Sequence, residues 1–296
     1  MKIIECVPNF SEGKDKDKVR SIVEAASEVD SAKVLDFSMD VDHNRSVLTI
    51  AGTPDGVVRG TAAACDRALE LIDMKKHSGV HPCIGAVDVV PFTPIKNISM
   101  KETVEIAHRF GRAFGKKNNV PVYFYGEAAL DLKRRELSDI RRGGYRGLRE
   151  KINDPLWVPD AGPAVFNSRG GAAVVGARDP LIAFNINLAT ENLDVAQNIA
   201  RSIRYSSGGL KGVKAIGVPL HSRKIVQVSM NLTNYRETSI RKVFDTVKEE
   251  AFDYGVTILE SELIGLIPGA AFEDVTADYL KLSGFSSKRI IETHFC

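Results

Sequence analysis

The chain has 296 residues, more than the roughly 100–200 of a single domain, so two domains of ordinary size are expected. Hydrophobic residues make up 44% and charged residues 26%, a globular balance that excludes a disordered or fibrous chain. A net charge of +2 offers no whole-molecule field for nucleic acid or an anionic membrane, and no window nears the roughly 18 apolar residues of a membrane helix.

In chain order, residues 2–8 (KIIECVP) predict a strand, and 14–29 carry apolar residues at helical spacing. Residues 33–37 and 46–51 predict two strands joined by an acidic loop, DFSMDVDHNRSV. A helix with proline in its first turn follows over 54–73, then a strand over 84–92, a helix over 100–117 and a strand over 120–126. The second half repeats the order: strand 181–188, helix 191–206, strands 213–219 and 224–232, helix 238–253 and strand 256–264. Each half thus reads β-α-β-β-α-β, the ferredoxin-like pattern, which predicts an α+β fold of two such subdomains, 1–180 and 181–296. The first strand of each half ends in an asparagine-bearing turn, VPNFSEG and NINLATEN.

The stretch between the repeats differs in chemistry. Residues 132–151 hold eight Lys or Arg against three Asp or Glu, either a surface that draws in a polyanionic or multiply carboxylated ligand or a solvated helix and turn. Tyr145 is the only aromatic among these charges, which argues against RNA stacking. Residues 154–171 (DPLWVPDAGPAVFNSRGG) form a long Pro- and Gly-rich loop, either an interdomain linker or a binding loop whose backbone amides, with Asn167, Ser168 and Arg169, hold a flat heterocycle or an anion.

Cys6, Cys65, Cys83 and Cys296 are far apart and make no C-x-x-C pair, so neither a disulfide scaffold nor a zinc ribbon is indicated. That usage, with an N-terminus lacking a signal-peptide core, fits a cytoplasmic protein. His77 and His81 have metalloprotease-helix spacing, but Gly79 between them and Pro82 after them disfavour a helix, and no third ligand stands nearby, so no metal is expected. Cys83 and His81 as a nucleophile pair is weak, because the intervening Pro82 leaves no reason for them to face each other. No phosphate-loop spacing occurs. His81 then stands as a lone acid/base candidate on a rigid turn entering a buried strand, against the plain alternative of a structural histidine. In the acidic loop, Arg45 offers a fork for a carboxylate and Asp40 or Asp42 a partner for a histidine, unless the loop only reverses the chain.

Taken together, ECVPNFSEG, NRSV, HSGVHPCIGAVDVVPF, PVYFYGEAA, DAGPAVFNSRGGAAVVGAR and LIAFNINL resemble the formiminotransferase family. These motifs are collinear over the first two thirds of the chain. The resemblance implies two ferredoxin-like subdomains around a folate cleft, usually in a homodimer. It implies transfer of a formimino or formyl group between N5 of tetrahydrofolate and the amine of L-glutamate, without a deaminase activity. It places the family's catalytic histidine on His81. It places the folate-binding loop on Gly162, Pro163, Ala164, Val165, Phe166, Asn167, Ser168, Arg169, Gly170 and Gly171. Asp40, Asp42 and Asp88 are candidate supports for the histidine, and Asn9, Arg45, His77, Glu127, Asn185 and Asn187 candidate substrate contacts. Two departures stand out. Relatives commonly carry Arg-Met where this chain has Cys83 and Ile84, and Ser38 stands where an acidic residue is expected. The first motivates an alternative, a folate-binding protein without turnover. Membrane and nucleic-acid partners are not expected.

Overall fold

The computed structural model describes residues 1–41, 43–79, 82–220 and 223–295. Its chain divides into two compact units, Met1–Arg178 and Asp179–Cys296. Each is mixed α+β with its own sheet.

In the first unit the strands are β1 (Ile3–Cys6), β2 (Asn9–Phe10), β3 (Ala32–Asp40), β4 (Arg45–Gly52), β5 (Val87–Lys96), β6 (Val122–Gly126) and β7 (Ala173–Ala177). The helices are α1 (Lys16–Ser27), α2 (Pro54–Leu71), α3 (Met100–Asn118), α4 (Leu137–Arg141) and α5 (Gly144–Lys151). Helix starts follow local chemistry. Asp15 accepts the backbone N–H groups of Asp17 and Lys18 ahead of α1, Pro54 follows the Thr53 cap of α2, and Ser99 and Glu102 form a reciprocal capping box on α3. Asn119 closes α3 with φ 54°, a left-handed backbone that asparagine tolerates.

Antiparallel pairing gives the order β3-β4-β1-β5, with β2 prolonging β1 between β4 and β5. The sheet then continues by parallel pairing from β5 to β7 to β6. Strand β5 therefore has neighbours on both edges and is buried over its first eight residues, hence the near-continuous apolar run. It begins and ends later than the sequence predicts. Residues 82–86 instead run beside the 162–171 loop, with Gly85 bridging Gly171, and Pro94 is accommodated opposite a register shift at Ile3 and Ile4. Strand β7 follows directly on the 154–171 loop, where the sequence predicts no element, because Ala and Gly supply much of it and both are poor strand formers.

The second unit comprises β8 (Ile182–Leu188), α6 (Leu193–Ile203), β9 (Val213–Leu220), β10 (Ile225–Leu232), α7 (Ile240–Asp253) and β11 (Ile258–Ile264). Its sheet is antiparallel throughout, in the order β11-β8-β10-β9. Alternation along β8 and β10 sends Phe184, Ile186, Val226, Val228 and Met230 into one core with residues of α6 and α7. Asn185, Asn187 and Gln227 occupy the alternate positions and are buried, 9%, 0% and 6% exposed, so the middle of the second sheet face holds a polar cluster. Among the described residues no helix is long and apolar enough to cross a membrane.

Candidate active site

A polar cluster of the first unit lies where the β2–α1 connection, the β3–β4 turn and the segment before β5 meet. Ser11 donates its hydroxyl to the Gly85 carbonyl at 2.8 Å, and its N–H bonds the Ala86 carbonyl at 3.0 Å. Asn44, 7% exposed and in the left-handed region at φ 48°, accepts the Gly13 N–H on Oδ1 at 2.9 Å. Its Nδ2 reaches the Ser78 carbonyl at 3.0 Å and His77 Nδ1 at 3.2 Å. Lys14 donates to the same Ser78 carbonyl at 3.0 Å. Glu12, 8% exposed, accepts the N–H groups of Lys14 and Asp15. Gly79 is where the two turns touch, since a Cβ there would stand 2.4 Å from the His43 carbonyl oxygen, so the approach requires glycine.

Asp88, on β5 and 1% exposed, is held by the Ile84 N–H at 2.9 Å and by an ion pair with Arg141 at the end of α4. Burial pushes its carboxyl up, against the pull of Arg141 and, more weakly, Arg45. Burial lowers the Arg45 guanidinium, with Arg141 acting in the same direction. A carboxylate and two guanidinium groups thus neighbour each other behind the segment that enters β5. The cationic partner of Asp88 comes from the basic stretch, which sequence reading treated as a surface. The signal was a lone aspartate in an apolar strand, which needs a counter-charge. Cys83, 9% exposed, lies beside the Ser11 hydroxyl, and burial pushes its thiol up, so it is no ready nucleophile.

The 162–171 loop is built onto this same segment. Met74 N–H bonds the Arg169 carbonyl, Ala86 N–H the Gly170 carbonyl, and Ala172 N–H the Ile84 carbonyl, at 2.9 to 3.0 Å. Asn167 organises the turn, accepting the N–H groups of Arg169 and Gly170 and donating to the Asn119 carbonyl. Arg169 donates its guanidinium to the Glu70 carbonyl at 2.6 Å, and Tyr145 bonds the Ser168 carbonyl at 2.5 Å. Gly170 and Gly171 are buried, while Gly162, Ala164, Val165 and Ser168 are exposed, Val165 at 67%. Pro163 is partly buried. Phe166 packs on Tyr145 with ring centroids 5.6 Å apart and lies under the Arg149 guanidinium at 4.9 Å. A cationic and aromatic surface results, with its two rings tilted by 40°.

The other candidates are scattered. His81 and Asp42 lie outside the described residues. Asp40 is exposed at the end of β3, bonding the His43 N–H at 2.7 Å and the His43 ring at 3.1 Å. Asn9, on β2, donates to the Val7 carbonyl. Glu127 is exposed after β6 and pairs with Arg135. Asn185 and Asn187 belong to the second unit, where Asn187 donates to Glu262 at 2.8 Å and accepts from Gln227 at 2.8 Å. Most of the basic stretch is structurally engaged: Arg134 pairs with buried Asp160, Arg142 with Asp139, and Lys151 donates to three carbonyls of the α4–α5 corner above Trp157. Residues 77–79 are not helical, and among the described residues no group of three or more His, Cys, Asp or Glu is placed to hold a metal ion.

Comparison with known proteins covers both units. The profile of the formiminotransferase domain's N-terminal subdomain matches residues 3–178, and that of the formiminotransferase domain matches 183–292. A glutamate formimidoyltransferase of Thermoplasma acidophilum is 44% identical over 99% of this chain and 97% of its own length. One from Streptococcus pyogenes serotype M1 is 42% identical over 99% of this chain and 98% of its own length. A formimidoyltransferase-cyclodeaminase of Gallus gallus is 43% identical over 95% of this chain and 53% of its own length. With both profiles matched in order and nearly the whole chain aligned, this protein belongs to the formiminotransferase family.

Proposed function

We propose that this protein is a one-carbon transferase that moves a formimino, or formyl, group between N5 of tetrahydrofolate and the amine of L-glutamate. The observation that carries this is the alignment over 99% of the chain with two glutamate formimidoyltransferases. The first-unit cluster supports it with a loop fit for a flat heterocycle and cations fit for carboxylates.

The chemistry assigns roles to side chains. The glutamate amine must lose a proton before attacking the formimino carbon, and the tetrahydrofolate nitrogen must gain one as the carbon–nitrogen bond breaks. One imidazole near its usual pKa of about 6.5 serves both steps, and His81 is our candidate. Asp40, Asp42 or Asp88 would support it. The folate ring is assigned to residues 162–171, where Phe166 and Val165 give an apolar face and Ser168 a polar edge. Glutamate and folate carboxylates are assigned to Arg45, His77 and Asn9, with Glu127, Asn185 and Asn187 as further contacts. No metal enters this scheme.

We read both units as ferredoxin-like subdomains, 1–180 and 181–296. The reading draws on their common β-α-β-β-α-β order and on the matching sheet orders β3-β4-β1-β5 and β9-β10-β8-β11. A cytoplasmic homodimer is proposed with them, to be checked by sedimentation. The deciding assay gives purified protein 5-formimino- or 5-formyltetrahydrofolate with L-glutamate. Tetrahydrofolate should be released, and His81→Asn should lower turnover by at least about a hundredfold while folate binding persists. Full turnover in that variant would refute the base assignment. Folate binding with no glutamate-dependent release in the wild type would favour the non-catalytic reading.

A further inference from the structure

The side-chain amide of Asn44 has an orientation fixed by its two backbone partners. Oδ1 takes the Gly13 N–H at 2.9 Å, and Nδ2 gives a hydrogen to the Ser78 carbonyl at 3.0 Å. Rotating the amide by half a turn would set donor against donor at Gly13 and acceptor against acceptor at Ser78. The second hydrogen of Nδ2 points to His77 Nδ1 at 3.2 Å. Because Nδ2 can only donate, Nδ1 must carry a lone pair, and the neutral ring carries its hydrogen on Nε2.

The surroundings agree. Burial lowers the imidazole's pKa, and although the Ser11 backbone, Glu12 and Asp88 favour the charged ring, Lys14 opposes it. Among the described residues His77 Nε2 is buried and makes no well-formed hydrogen bond, although the Ser11 backbone stands close enough to favour the charged ring. A donor left in this condition in a native structure calls for an occupant. Lys14 supplies the second clue, since its ammonium meets the same Ser78 carbonyl that Asn44 binds, placing a cation on the turn that carries His77. That pairing suits a carboxylate oxygen.

We propose that Asn44 is a positioning residue that holds His77 in the neutral Nε2–H tautomer, so that Nε2–H and Lys14 together receive a carboxylate of the amino-acid substrate. The assignment of a glutamate carboxylate rests on the transfer function proposed above; the tautomer does not. Asn44 touches no reacting atom, and its effect passes through His77.

The test uses the full-length protein labelled with 15N-histidine and long-range proton–nitrogen correlation spectra, with His77 assigned by the signals lost in His77→Gln. At neutral pH the wild type should show a protonated Nε2 and a bare Nδ1 for His77, and this pattern should persist below the usual histidine midpoint of about 6.5. Asn44→Asp replaces the donor by an acceptor and should convert His77 to the Nδ1–H or charged form. The His77 Nε2 signal should move when L-glutamate is added with 5-formyltetrahydrofolate. In steady-state assays His77→Phe should raise KM for L-glutamate about tenfold or more with kcat little changed, and His77→Gln, whose amide still donates, should recover part of the loss. An Nδ1–H or charged His77 in an active wild-type enzyme overturns the proposal. So does a His77→Phe variant with an unchanged glutamate KM. The stated tautomer in a protein without transfer activity supports the positioning role and counts against the transfer function alone. Should Asn44→Asp fail to fold, the wild-type spectra decide.

Discussion

Asp88 carries a charge inside the first unit's core, and its cation comes from 53 positions further along the chain. Removing either partner leaves the other buried and unpaired, with side-chain exposures of 13% for Arg141 and 2% for Asp88. Asp88→Ala and Arg141→Met are each expected to cost about 3–5 kcal/mol in urea unfolding, and the double variant should recover part of that loss. His77 makes a different, pH-dependent contribution. Its folded-state pKa lies below the usual value, so its stabilisation is fully present above about pH 6.5 and is lost as pH falls through the depressed folded value. His77→Gln should flatten that part of the stability–pH curve, measured by urea midpoints at a series of pH values. At this scale the sequence was partly readable. A lone aspartate in an apolar strand demands a cation and an HSGVHP turn refuses a metal helix, but neither local pattern says that Arg141 and Asn44 arrive from elsewhere in the chain.

Elements were legible wherever periodicity or caps marked them. Helices α1, α2, α3, α6 and α7 stand close to where their apolar spacing and capping residues put them. Strand β7 and the start of β5 were not, because their conformations depend on each other. The Gly85–Gly171 bridge and the Ala172–Ile84 hydrogen bond join the segment ahead of β5, which reads as strand from residue 84, to a stretch that reads as loop up to residue 171. Gly171 marks this junction, with φ 69° and space so tight that a Cβ would sit 2.2 Å from the Ile84 oxygen. Gly171→Ala is therefore expected to lose the left-handed penalty of roughly 1–2 kcal/mol and more for displaced backbone. Thermal unfolding should show the loss, and a folate titration should show weakened binding, since the 162–171 loop is moored through the same contact. A variant with unchanged melting and unchanged affinity would disprove this account of the junction.

The molecule as a whole rests on separate cores, one around β8, β10, α6 and α7 and others confined to residues before Arg178. A fragment of residues 179–296 is of ordinary domain size and has a complete four-stranded sheet, so it should fold alone and unfold cooperatively in urea followed by circular dichroism. A broad, non-cooperative transition would show that its core needs the rest of the chain. The first unit's cluster has another property. Ser11 waits for Gly85 across 74 positions, Arg141 bonds Asp88 across 53, and the loop that completes the cluster ends just before β7. During synthesis the ribosome must therefore release nearly the whole of this unit before the cluster can close, at roughly 5–20 residues per second. For several seconds each nascent chain carries Asp88 and its neighbours without their partners, and variants that weaken the closing contacts would lose yield at birth before they lose activity in the finished enzyme.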